Sequence, residues 1–66
     1  MMEIYKVPIY YNGEYFDSLE YTEPVSIADS YRLQSDAIEK LEGEAFDEIH
    51  TGFNNFGHLA VFVNSD

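Results

Sequence analysis

Asn12-Gly13 is the dipeptide that most constrains how this chain can fold. Both residues tolerate positive φ, so the pair suits a type I′ turn, whose twist matches that of the strands it joins. On either side lie runs rich in strand formers, Glu3 to Tyr11 (EIYKVPIYY) and Glu14 to Tyr21 (EYFDSLEY). A two-residue turn places Tyr11 opposite Glu14, Tyr10 opposite Tyr15 and Ile9 opposite Phe16. One face of this hairpin then carries Val7, Ile9 and Phe16 and is expected to be the core face. The other carries Lys6, Tyr10, Tyr15, Asp17, Leu19 and Tyr21, a tyrosine-rich and partly open surface. Pro8 cannot donate to a ladder, which assigns the first strand to a sheet edge or to a bulge.

After the connector Thr22-Glu23-Pro24, the segment Val25 to Leu33 (VSIADSYRL) alternates through Val25, Ile27, Tyr31 and Leu33. It reads as a third strand, broken or bulged near Ala28-Asp29. The stretch Ser35 to Ile49 (SDAIEKLEGEAFDEI) reads as a helix, with Ile38, Leu41, Ala45 and Ile49 on one apolar stripe. Asp36 and Glu39 form a capping-box-like pair at its start. Gly43 costs this helix about 1 kcal/mol relative to Ala and is expected to bend it. His50 to His58 (HTGFNNFGH) reads as a loop whose Phe53 and Phe56 either plug the core or, if exposed, anchor a partner. Leu59 to Val63 (LAVFV) is a final strand covered on both faces, and Asn64-Ser65-Asp66 a fraying tail.

These elements give a single α+β domain over residues 1–66. Its expected architecture is one mostly antiparallel sheet of three to four strands in β-β-β-α-β order. One amphipathic, acidic helix packs on one face. The last strand runs parallel to the first and third and is expected beside the third. An apolar edge there invites pairing with the same strand of a second copy, so Leu59 to Val63 is a candidate homodimer seam.

Sixty-six residues leave a small core, and the chain has no cysteine to staple it or to bind zinc through thiolates. Its formal charge is -10, from 3 bases against 13 acids. Binding to a phosphate backbone or to an anionic membrane needs clustered Lys and Arg, so neither is expected. No apolar run approaches the roughly 18 residues of a membrane span. The start, MMEIYK, has neither the basic opening nor the apolar block of a secretory signal, which makes the cytoplasm the expected location.

Chemistry-bearing patterns are sparse. Asp47, Glu48, His50 and His58 can be drawn as a metal cluster, but their spacing is ordinary in so acidic a chain. No glycine-rich phosphate loop, Ser-His-Asp order or cysteine nucleophile is present, so no catalytic residue, cofactor or metal is assigned and an enzyme is not expected. The Tyr10, Tyr15 and Tyr21 group either stabilises the hairpin or offers contact surface.

The acids Glu39, Glu42, Glu44, Asp47 and Glu48, placed on one helix, would sit roughly 5–6 Å apart at Cβ. That spacing is comparable with neighbouring phosphates on a strand. Such a ridge could occupy the Lys/Arg groove of a nucleic-acid-handling protein, aided by Tyr10, Tyr15, Asp17, Phe53 and Phe56. In size and charge the chain resembles the small inhibitors that phages and mobile elements encode, anti-restriction and anti-CRISPR proteins among them. That likeness implies a non-enzymatic nucleic-acid mimic acting in the host cytoplasm. The alternative is a homodimeric structural or adaptor module whose acids serve solubility alone.

Overall fold

The Asn12-Gly13 turn forms with φ of 52° and 86°, and it joins β1 (Tyr5–Tyr11) to β2 (Glu14–Tyr21). A computed structural model describes residues 3–65 of the chain. Beyond the hairpin come a 3-10 turn (Ile27–Asp29), the helix α1 (Ser30–Leu41), β3 (Glu48–Phe53) and β4 (Leu59–Asn64). The four strands make one sheet in the order β2-β1-β4-β3. Strand β1 is antiparallel to β2 and parallel to β4, and β3 is antiparallel to β4. The fold is α+β, a mostly antiparallel sheet with one helix on it.

The hairpin register follows the turn for only two pairs. Tyr11 faces Glu14 and Tyr10 faces Tyr15, but Ile9 faces Asp17. Phe16 is the extra residue of a β-bulge. A one-residue shift moves every later side chain to the other face. Leu19 and Tyr21, expected on the open face, are therefore buried in the core, and Phe16 is left 40% exposed.

Chain order also departs from expectation, being β-β-α-β-β. Val25 to Leu33 is not a strand. Ser26 caps a 3-10 turn in a reciprocal capping box. Its hydroxyl accepts from the Ala28 N–H at 3.3 Å, and Asp29 Oδ2 accepts from the Ser26 N–H at 3.0 Å. The helix follows directly, so Ser35 and Asp36 lie inside it and are not its cap. It buries Leu33, Ala37 and Leu41, spaced by four, and leaves Ile38 exposed. It ends at Leu41, because Glu42 and Gly43 both adopt positive φ, of 51° and 89°. Gly43 is thus a helix terminator, and no bent helix continues to Ile49.

The core gathers Val7, Ile9, Leu19, Tyr21, Leu33, Ala37, Leu41, Val61 and Val63, with Phe46 and Ile49 packed at its margin. Strand β1 is interior, between β2 and β4. Its parallel register with β4 runs only from Ile9↔Val61 to Tyr11↔Val63, so Pro8 lies outside it. Strand β4 is interior as well, paired with β1 and β3. The edge that made Leu59 to Val63 a dimer seam is therefore not available for strand pairing.

Ser65 is held against the hairpin turn. The Ser65 N–H donates to Asn12 Oδ1 at 2.8 Å, and Asn12 Nδ2 donates to Ser65 Oγ at 3.1 Å. Of the expected fraying tail, Asn64 belongs to β4 and Asp66 lies outside the described residues. Among the described residues, no helix is long and apolar enough to cross a membrane.

Candidate functional site

With the helix ending at Leu41, the five acids expected on one ridge are dispersed. Glu39 sits on α1, Glu42 and Glu44 follow it, Asp47 precedes β3, and Glu48 is the first residue of β3. A different set of carboxylates converges. Glu20 from β2, Asp36 and Glu39 from α1, and Glu42 after it line a groove of about 360 Å³ together with Leu19, Tyr21 and Lys40. Asp36 and Glu39 are spaced by three, which brings their side chains near one another on the helix face, and Glu42 joins them from the left-handed residue that follows the helix. Glu44, Asp47 and Glu48 do not line this groove.

Tyr21 anchors the groove. Its hydroxyl donates to Asp36 Oδ2 at 2.6 Å, and the Arg32 guanidinium lies over its ring, 4.9 Å from the centroid. Burial pushes the Tyr21 phenol well above the ordinary tyrosine range, and the Asp36 carboxylate adds to the shift. Arg32 acts in the opposite direction and is outweighed. On the exposed start of the hairpin, the Tyr5 hydroxyl donates to Glu3 Oε2 at 2.7 Å, and this bond raises the Tyr5 pKa.

The sheet face away from the helix is aromatic. Tyr15 meets Tyr10 edge-on at 6.4 Å, Tyr10 stacks on Phe62 at 5.5 Å, and Phe62 stacks on His50 at 5.3 Å. Because these residues are register partners, the row crosses all four strands. Gly52 lies beside this row, where a Cβ would make an ordinary van der Waals contact with the Phe62 ring at 3.5 Å. At one end a second hollow, also about 360 Å³, is lined by Tyr10, Gly13, Phe53, Asn54, Asn55, Phe56 and Phe62.

The expected site residues thus fall into separate places. Glu39 and Glu42 belong to the groove, Tyr10 and Tyr15 to the aromatic row, and Phe53 and Phe56 to the hollow at its end. Phe53 and Phe56 are not core plugs, being 60% and 81% exposed. Asp17 belongs to none of them, and its Oδ1 accepts from the Ser18 N–H at 2.8 Å. Sequence reasoning missed Glu20, Asp36 as a groove residue, and Phe62. The alternation of Ala60, Phe62 and Asn64 against Leu59, Val61 and Val63 was the signal for Phe62.

Among the described residues, no group of three or more His, Asp or Glu side chains is placed to hold a metal ion. His50 stacks on Phe62, and His58 lies 6.3 Å from the Phe56 ring. Compared with known proteins, the chain matches no family model, no curated protein and no solved structure.

Proposed function

We propose that this protein is a non-enzymatic inhibitor that captures a basic, nucleic-acid-handling protein through the groove between β2 and α1. The observation that carries this reading is the convergence of Glu20, Asp36, Glu39 and Glu42 on one groove whose lining holds one base, Lys40, with Arg32 over the ring of Tyr21 beside it. The complement of such a groove is a projecting segment that carries Lys and Arg, the residue types with which nucleic-acid-handling proteins neutralise phosphates. A net charge of -10 also accelerates encounter with such a partner, in a salt-dependent way. The reading places the protein in the cytoplasm of a host cell, as a mimic of the phage-encoded type.

The test is the triple variant Glu20→Lys, Glu39→Lys, Glu42→Lys, compared with the unaltered protein in capture from host lysate at low and high salt. The variant should lose basic nucleic-acid-binding proteins that duplex DNA displaces from the parent. Capture of the same proteins with the same salt dependence would refute the reading. Sedimentation separates it from the homodimer alternative, which expects a tight dimer that ignores basic proteins.

A further inference from the structure

We propose that the outer edge of β2 takes an extended, basic segment of the partner by strand addition. Lysine or arginine at alternate positions of that segment meets the carboxylates of the β2–α1 groove. The proposal rests on the basic-partner reading and names the form in which the partner enters. Strand β2 is outermost in the sheet, and among the described residues no strand pairs with its outer side.

The register decides which backbone groups face outward. The Asn12 N–H donates to the Val63 carbonyl at 2.8 Å, so the even-numbered residues of β1 turn their backbone groups toward β4. The odd-numbered residues Tyr5, Val7, Ile9 and Tyr11 then exchange hydrogen bonds with Tyr21, Leu19, Asp17 and Glu14. Pro8, which has no N–H to give, sits opposite Ser18 in a pair that needs none. The N–H and C=O of Ser18 and Glu20 are left pointing out of the sheet. Asp17 Oδ1 already takes the Ser18 N–H at 2.8 Å. The Ser18 carbonyl and both backbone groups of Glu20 remain, beside the groove that Leu19, Glu20 and Tyr21 share with α1.

Sheet edges are commonly blunted by lysine, proline, a bulge or a covering element. Strand β2 has no lysine and no proline, and the bulge at Phe16 and the Asp17 contact guard only its first half. Charge chooses the occupant of the open half. Two copies joined through β2 would bring Glu20, Asp36, Glu39 and Glu42 of each against those of the other, in a chain of net charge -10. A basic segment reverses the sign of that interaction. Its spacing fits as well. Alternate side chains of an extended strand share a face and stand roughly 6.6 Å apart. Asp36 and Glu39, one helical turn apart, are separated by roughly 5–6 Å at Cβ.

The experiment is an NMR titration of the whole protein at low ionic strength with an end-capped peptide that alternates lysine and threonine. Two further peptides carry backbone N-methyl groups, one on every lysine and the other on every threonine. Successive residues of a strand aim their N–H groups at opposite edges, so an added strand is blocked by one pattern and tolerated by the other. One methylated peptide should therefore bind about tenfold more weakly than the unmethylated peptide, and the other within about twofold of it. At saturation the Glu20 amide proton should exchange with solvent about tenfold more slowly. Equal binding of the two methylated peptides, no binding of the unmethylated one, or an unprotected Glu20 amide at saturation overturns the proposal. These outcomes are separable from failure of the basic-partner reading. Equal binding of all three peptides that is lost in the double variant Glu39→Lys, Glu42→Lys would refute strand addition and leave the acidic groove as the capture surface. Capture of the partner itself is read in lysate by the charge-reversal variant.

Discussion

Replacing Tyr21 by Phe removes one hydroxyl and leaves the ring beneath Arg32 in place. That hydroxyl donates to Asp36 at 2.6 Å and joins the end of β2 to the middle of α1. Hydrogen bonds to charged groups contribute about 1.5–3 kcal/mol. Asp36 is only half-buried, so water can replace part of what the phenol supplied. The expected loss is therefore at the lower end, about 1–2 kcal/mol. Against a total stability of about 3–10 kcal/mol for a chain of 66 residues, that is a substantial fraction.

Urea unfolding of the parent, Tyr21→Phe, Asp36→Asn and the double variant would measure the coupling directly. The pH dependence gives an independent signature. The folded state holds the Tyr21 proton more tightly than the unfolded chain, whose tyrosine titrates near 10.0. The stabilisation is thus complete below pH 10 and is lost progressively as pH rises above it. The gap between parent and Tyr21→Phe should narrow over that range. A variant as stable as the parent at pH 7, with the same alkaline decline, would refute the role given to this bond.

Other perturbations test the fold. Glu42→Gly should stabilise the protein by about 1 kcal/mol, because Glu42 holds a left-handed φ of 51° that glycine adopts freely; a lowered urea midpoint would contradict this. Leu33→Ala empties a fully buried position, and a loss of about 2–5 kcal/mol should leave little cooperative unfolding transition. A loss under about 1 kcal/mol would mean that the helix does not seat on the sheet through Leu33. Deleting Phe16 should remove the bulge yet keep Val7 opposite Leu19 and Tyr10 opposite Tyr15, which cross-strand nuclear Overhauser effects would read.

The hairpin turn, the final strand and the α+β class were legible because each rests on local chemistry. Asn12-Gly13 needs no tertiary context to prefer positive φ, and LAVFV has few alternatives to a covered strand. The helix was misplaced because two apolar stripes compete in the sequence. Ile38, Leu41, Ala45 and Ile49 fit helical spacing, as do Leu33, Ala37 and Leu41, and only Leu41 is common to both. Glycine decides between them. Gly43 read as a defect inside one helix is a stop signal for the other, and Ser26 with Asp29 supplies the matching start.

The alternation of Val25, Ile27, Tyr31 and Leu33 was coincidental, since Tyr31 is 88% exposed. The bulge at Phe16 has no local signature in the sequence, and it sorted Leu19 and Tyr21 to the wrong face. The acidic groove was illegible for the same reason. It depends on β2 lying beside α1, a tertiary placement that spacing along one segment cannot convey.

The interior position of β4 has a consequence for how the domain assembles. The hairpin of β1 and β2 pairs with the hairpin of β3 and β4 along the β1–β4 seam, which joins residues more than fifty apart in the chain. Until Val61 to Val63 arrives, Ile9 has no neighbour on that side and the helix has half a floor to rest on. A chain that stops short of Val61 therefore lacks one side of its core, and the long separation of the paired strands is a topology that slows folding.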